Sequence, residues 1–168
     1  MKLLIIRHAI AGNREEFAQT GQDDAHRPLT REGRKRMRRV AKGLMRLTPS
    51  IDVLAVSPLT RAIQTAEIVA DAYGGLELTQ IPPLAPGKTP MALLQWLKHQ
   101  KPDQTIAMVG HEPALGVFVS WILTGLQESF VVLRKGGACL IELDGEIRAG
   151  RGKLIWLHKP SQIRHLRS

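Results

Sequence analysis

The sequence predicts an α/β protein, a three-layer α/β/α sandwich around a mostly parallel sheet. Short apolar runs alternate with helix-period segments, the pattern of parallel strands covered on both faces. Only the last two runs are joined by a short glycine-rich segment, which makes that pair antiparallel. With 168 residues, 43% of them apolar, the chain is long enough for one well-buried domain over residues 1–168 and short for two.

The elements follow in order. "KLLIIR" is the first strand, and after it comes a polar loop with Gly12, Gly21 and a "QDD" cluster. In "TREGRKRMRRVAKGLMRL", Met37, Val40, Ala41 and Leu44 recur at helical spacing and predict a helix from about Thr30 to Leu47. "IDVLAVS" is the second strand. Ser57-Pro58 then reads as a helix start, with Ser57 as N-cap and Pro58 at the first helical position, and the helix closes at Gly74-Gly75. "LELTQI" is a short strand, "PPLAPGKTP" a loop, and "MALLQWLKHQ" a helix. "QTIAMVG" is a strand that His111-Glu112-Pro113 turns into the helix "ALGVFVSWILTG". "GACLIELDG" and "GKLIWLHKP" form the antiparallel pair, and residues 161–168 are expected to be a loosely held tail.

No apolar run approaches the roughly 18 residues that span a bilayer, and "LLII" is too short for a signal-peptide core. A soluble, cytoplasmic protein is expected. The single cysteine, Cys139, lies in an apolar run and has no partner within the chain; it reads as a small core residue in a reducing compartment. The chain carries 24 Lys+Arg against 15 Asp+Glu, a formal charge of +9, which favours anionic partners. Arg34, Lys35, Arg38, Arg39, Lys42 and Arg46 fall on the wet side of the basic helix, residues 31–46. Without an aromatic side chain for base stacking, that face reads better as a solvated surface, or as a dock for an acidic protein, than as a nucleic-acid site.

The chemistry converges at strand ends. In open α/β sheets ligands bind beyond the carboxyl ends of the strands. Here three strands end in polar groups: the first in Arg7-His8, the second in Ser57 with Arg61 about a turn further on, and "IAMVG" in His111. Two arginines beside two histidines call for a compensating anion, and phosphate suits guanidinium groups that bind its oxygens in pairs. One histidine could attack phosphorus while the other cations hold the charge spread over the equatorial oxygens. Taken singly, such residues serve structure more often than catalysis, so the pattern alone leaves a phosphate site and a set of structural strand ends both open.

"RHA", "RPLTREGR", "SPLTRAIQTAEIV" and "GHEP", in this order, resemble the histidine phosphatase superfamily with its phosphoglycerate-mutase-like fold. The short chain is most similar to the small phosphohistidine phosphatase branch, the SixA type. The resemblance implies that His8 is a nucleophile that becomes phosphohistidine, with Arg7, Arg61 and His111 completing the phosphate pocket. It further implies that Asp24 and Arg27, just before "PLT", position substrate. No metal or cofactor is implied. Glu112 is expected to face solvent or to hold a loop, and Thr65 to pack or bond locally.

Two departures stand out. The family usually has glycine after the nucleophilic histidine, where this chain has Ala9, which narrows the backbone choices there. Many members also carry an acid in the segment matching "IPPLAPGKTP" to protonate a departing alkoxide, and this chain has no Asp or Glu between Glu77 and Asp103. Imidazole leaves more easily than an alkoxide. The favoured expectation is therefore a metal-independent phosphohistidine phosphatase acting on a phosphorylated protein, such as a histidine-containing phosphotransfer domain. A phosphomonoesterase for a small phosphorylated metabolite is the alternative within enzymes. A non-catalytic phosphoprotein-binding module is the alternative outside them.

Overall fold

Strand β1 (Lys2–Arg7) shows why the opening run is apolar on both faces. Leu3 and Ile5 enter one core, Leu4 and Ile6 the other, and all four are fully buried. The computed structural model describes residues 1–166. Strands β1, β2 (Val53–Val56), β3 (Leu78–Gln80) and β4 (Thr105–Gly110) run parallel, and β5 (Ala138–Leu143) and β6 (Gly152–His158) close the sheet antiparallel in the order β3-β2-β4-β1-β5-β6. This is the three-layer α/β architecture expected from the sequence.

Helices cover both faces. Helices α2 (Arg31–Leu47), α3 (Thr60–Ala72) and α6 (Pro160–His165) pack on the core that holds Leu4, Ile6, Val56 and Val109; α4 (Pro90–Leu97) and α5 (Ala114–Thr124) pack on the core of Leu3, Ile5, Met108 and Cys139. Helix α2 buries Met37, Val40, Ala41 and Leu44 as its spacing requires, and leaves Lys35, Arg38, Arg39 and Lys42 exposed. Thr30 caps it, its hydroxyl accepting from the Gly33 N–H at 2.9 Å. Cys139 is a free core thiol, pushed up to about 12 by burial.

Three local expectations are corrected. Ser57 is not the N-cap of α3: the helix starts at Thr60 with Leu59 as its cap residue, because the Ser57 hydroxyl is engaged with His111. The proline-rich loop contains a 3₁₀ turn at Pro82–Leu84. Residues 161–165 are not a loose tail but belong to α6, whose Ile163 is fully buried against α2. Gly43 permits that contact, since a Cβ there would lie 2.0 Å from the Ile163 carbonyl oxygen. Arg167 and Ser168, the remainder of the expected tail, lie outside the described residues. No helix among the described residues is long and apolar enough to cross a membrane.

The segment after β1 carries a short helix that its polar composition did not announce, α1 (Arg14–Ala18), capped by Asn13. Bonds from Gly12 N to Pro28 O and from Thr30 N to Ile10 O tie this segment to the approach to α2. The excursion from Gly12 to Pro28 thereby forms a wall over the carboxyl ends of the strands.

Candidate active site

The parallel register brings the strand ends together. Arg7 pairs with Gly110 across β1 and β4, so the next residues, His8 and His111, emerge side by side with ring centroids 5.1 Å apart. Val56 pairs with Val109, which sets Ser57 beside them. His8, Arg61 and His111 are all buried to 6% exposure or less. With Arg7, Asp24 and Arg27 they line one cleft of about 780 Å³, so the six residues singled out from the sequence do meet.

Each histidine has one ring nitrogen committed. His8 Nδ1 lies 2.7 Å from the Ala9 carbonyl oxygen. A carbonyl can only accept, so Nδ1 carries the hydrogen and Nε2 holds the lone pair. Burial, with Arg61 and Arg7 nearby, lowers the His8 pKa to about 4, which keeps the ring neutral at physiological pH. His111 Nε2 lies 2.8 Å from Ser57 Oγ. That oxygen also accepts from the Leu59 N–H at 3.3 Å, so Ser57 ties the start of α3 to the His111 ring, whose Nδ1 is left without a partner. Burial and the neighbouring His8 lower the His111 pKa to about 3.

Ala9 fits without strain. Among the described residues no non-glycine has positive φ, and the Ala9 side chain packs into the core beneath α2. Its N–H donates to Thr65 Oγ1 at 3.0 Å, while that hydroxyl donates to the Arg61 carbonyl at 2.7 Å. Thr65 therefore anchors, through that N–H, the residue whose carbonyl sets the His8 tautomer. The helical spacing of four from Arg61 to Thr65 was the sequence signal for a shared face.

The arginines are held by backbone and carboxylate acceptors. Arg7 Nη1 donates to the Leu133 carbonyl at 2.8 Å. Arg61 Nη1 donates to the Asp24 carbonyl at 2.9 Å, and its Nη2 lies 3.2 Å from Asp24 Oδ2. Arg27 Nε donates to Asp24 Oδ1 at 2.7 Å and its Nη1 to the Gly12 carbonyl at 2.7 Å. The Arg27 hydrogen bond, with Arg61 and Arg14 beside it, holds the Asp24 carboxyl below its usual range. Asp24 and Arg27 thus form a clamp that orients Arg61 and closes the loop.

Glu112 holds a loop, as one of its two expected roles required. Its Oε1 accepts from Leu133 N at 2.7 Å and its Oε2 from Gly116 N at 3.1 Å. Arg7 Nε and Arg61 Nε, both donors, and the ring nitrogen His111 Nδ1 are buried without a hydrogen-bond partner. Buried polar groups are nearly always paired, and three such unpaired nitrogens on residues lining one cleft, two of them arginine donors, mark a place for a ligand rich in acceptors. Asn13, Arg14, Pro86 and Lys135 also line the cleft and were not anticipated from the sequence. Asn13, Pro86 and Lys135 come from loops and Arg14 from the start of the short helix α1, and the reach of all four depends on tertiary packing.

A cation-rich cleft at the carboxyl edge of a parallel sheet, centred on a neutral histidine with its outer nitrogen unprotonated, is of the class that holds an oxyanion. Comparison with known proteins agrees with that class. The model of the histidine phosphatase superfamily (branch 1) matches residues 3–85. An uncharacterized protein of Picosynechococcus sp. (strain ATCC 27264 / PCC 7002 / PR-6) is 37% identical over 139 residues, 82% of each chain. The protein histidine phosphatase SixA, solved with tungstate, superposes with a TM-score of 0.83 at 25% identity, over 97% of this chain and 99% of that one. The alpha-ribazole phosphatase of Shigella flexneri superposes at 0.71 with 18% identity, over 95% and 97%. The chain belongs to the histidine phosphatase superfamily, and its fold is of the SixA type.

Proposed function

We propose that the protein is a phosphohistidine phosphatase acting on a phosphorylated protein, with His8 as the nucleophile. His8 Nε2 attacks phosphorus; the bond from phosphorus to the substrate imidazole breaks, and a phosphoryl group remains on His8. Water then attacks that phosphorus, the bond to His8 breaks, and inorganic phosphate leaves. Arg7, Arg61 and His111 hold the equatorial oxygens in both steps, and Arg7 Nε, Arg61 Nε and His111 Nδ1 otherwise lack partners. Tungstate bound to the SixA relative is a tetrahedral oxyanion of the same kind.

The observation that carries the substrate reading is the engagement of the three carboxylates that line the cleft. Asp23 accepts from Ala25 N, Asp24 is gripped by Arg27 and Arg61, and Glu112 accepts from Leu133 N and Gly116 N. Each is held as an acceptor. An alkoxide needs a proton as it leaves, whereas a phosphoimidazole with its far nitrogen already protonated departs as neutral imidazole. The cleft suits the second leaving group better.

The test is hydrolysis, in EDTA, of a phosphohistidine-bearing protein and of p-nitrophenyl phosphate by the wild-type chain and by His8→Ala. The expected result is a strong preference for the phosphohistidine substrate and loss of both activities in the variant. Preference for small phosphoesters would move the assignment to a phosphomonoesterase. Binding of phosphate without turnover of either would make the protein a binding module, and activity retained by His8→Ala would overturn the nucleophile.

A further inference from the structure

Behind the nucleophile lies a second, smaller pocket of about 90 Å³. Its floor is apolar: Ala9 and Ile10, the two residues that follow His8, with Met37 and Val40 of α2. Its rim is cationic and assembled from three separate parts of the chain, with Arg36 on α2, Arg164 on α6 and Lys135 on the loop before β5. Lys135 lines this pocket and the catalytic cleft alike, so one residue borders both. Backbone bonds from Gly136 N to the Arg7 and His8 carbonyls fix the loop at that point to the end of β1.

The charge on the rim is not internally compensated. Arg36 Nε donates to Glu32 Oε1 at 2.6 Å, which accounts for one carboxylate. Among the described residues neither Lys135 nor Arg164 has a side-chain hydrogen bond or an ion pair. An apolar floor beneath unpaired cations suits a short aliphatic stem that ends in an anion. A glutamate side chain has that form: its methylenes would lie on Ile10, Met37 and Val40 while its carboxylate meets the rim.

We propose that this pocket is a substrate subsite that receives a carboxylate side chain flanking the phosphorylated residue of a protein substrate. The proposal rests on the phosphoprotein reading above. It assigns the pocket to selection among phosphoproteins, since a small phosphoester fills only the cleft. A substrate held at two places across Lys135 presents its phosphorus to His8 in a fixed orientation, and the carboxylate supplies that second hold.

The test measures binding to the His8→Ala chain, so that turnover does not intervene. Labelled peptides carry either a non-hydrolysable phosphohistidine mimic or phosphoserine, with Glu or Gln placed in turn at each flanking position. Fluorescence polarisation gives the ratio of Kd values between Gln and Glu peptides. The expected ratio is about fivefold or more at one flanking position, the size of one partly screened charged contact. It falls to about one with Arg164→Ala added and inverts with Arg164→Glu. Lys135→Ala is the second variant should α6 not tolerate the first, with thermal unfolding as the check on folding. A ratio near one at every position, a ratio untouched by folded variants, or no binding of either peptide class would overturn the pocket assignment. If the phosphohistidine mimic binds no better than phosphoserine while the Glu preference persists, the phosphohistidine reading fails and the subsite stands.

Discussion

Thr65→Val tests whether His8, the proposed nucleophile, is set in place by a side chain that does not line the cleft. Valine keeps the shape and removes the hydroxyl, which in the structure is fully buried between the Ala9 N–H and the Arg61 carbonyl. The carbonyl tolerates the loss because it remains a helical acceptor; the Ala9 N–H is left buried and unpaired, at a cost of about 1–3 kcal/mol. In a domain of this size each kcal/mol moves Tm by roughly 2–4 °C, so a cost near 2 kcal/mol lowers it by about 4–8 °C. Because the same residue, Ala9, carries on its next peptide the carbonyl that holds His8 Nδ1–H, kcat should fall roughly tenfold or more in a rapid-quench assay of phosphoenzyme formation, with little change in KM. Thr65→Ser keeps the hydroxyl and should retain most of the rate. If valine matches serine in rate, Ala9 is held by something other than Thr65 and the positioning role is refuted.

Other outcomes follow from the same geometry. With the His8 pKa lowered to about 4, protonation blocks attack only in acid, so kcat/KM on a stable phosphoester should hold down to about pH 5 and halve near 4. A midpoint near 6.5 in that profile would mean that burial does not govern the ring. The same lowering in His8 and His111 makes the unfolded chain take up protons first, so their contribution to stability is complete above the ordinary value of 6.5 and declines as pH falls towards 4 and 3. Asp24→Asn should lower the urea midpoint at pH 7, where the ionised carboxylate holds Arg27 and Arg61. Because the Asp24 pKa is depressed below 3.8, the gap to wild type should close only at still lower pH. Gly43→Ala forces a methyl group against the Ile163 carbonyl and should destabilise by about 1–3 kcal/mol, with limited proteolysis opening the chain first near Pro160.

The sheet and most helices were legible because they rest on periodicity: Leu3 to Ile6 for a strand buried on two faces, and Met37, Val40 and Leu44 for one face of a helix. The convergence of Arg7, His8, Arg61 and His111 was legible because the rule about carboxyl ends of strands needs only strand boundaries. What stayed hidden depends on register and on loops. Ser57 looked like a cap because Ser-Pro favours a helix start, but the pairing of Val56 with Val109 sets it against His111, and that partnership decides its role. Lys135 stands in a glycine-flanked loop with no period at all, so only the folded chain shows that it borders the cleft. The tail was misread for the opposite reason: "SQIRHLRS" carries one apolar anchor, Ile163, and its value depends on the space above Gly43.

The change of direction within the sheet has a consequence for how such a protein diversifies. β1 and β4 deliver their ends to the site, whereas β5 runs the other way and begins there, so the loop that precedes it reaches the cleft as well. On the proposed function and subsite, the reacting groups sit at strand ends and the start of α3, while the stretch that encodes Arg134 and Lys135 lies in a loop that can drift without disturbing a single ladder hydrogen bond. A lineage can acquire a new partner there while its reaction stays the same.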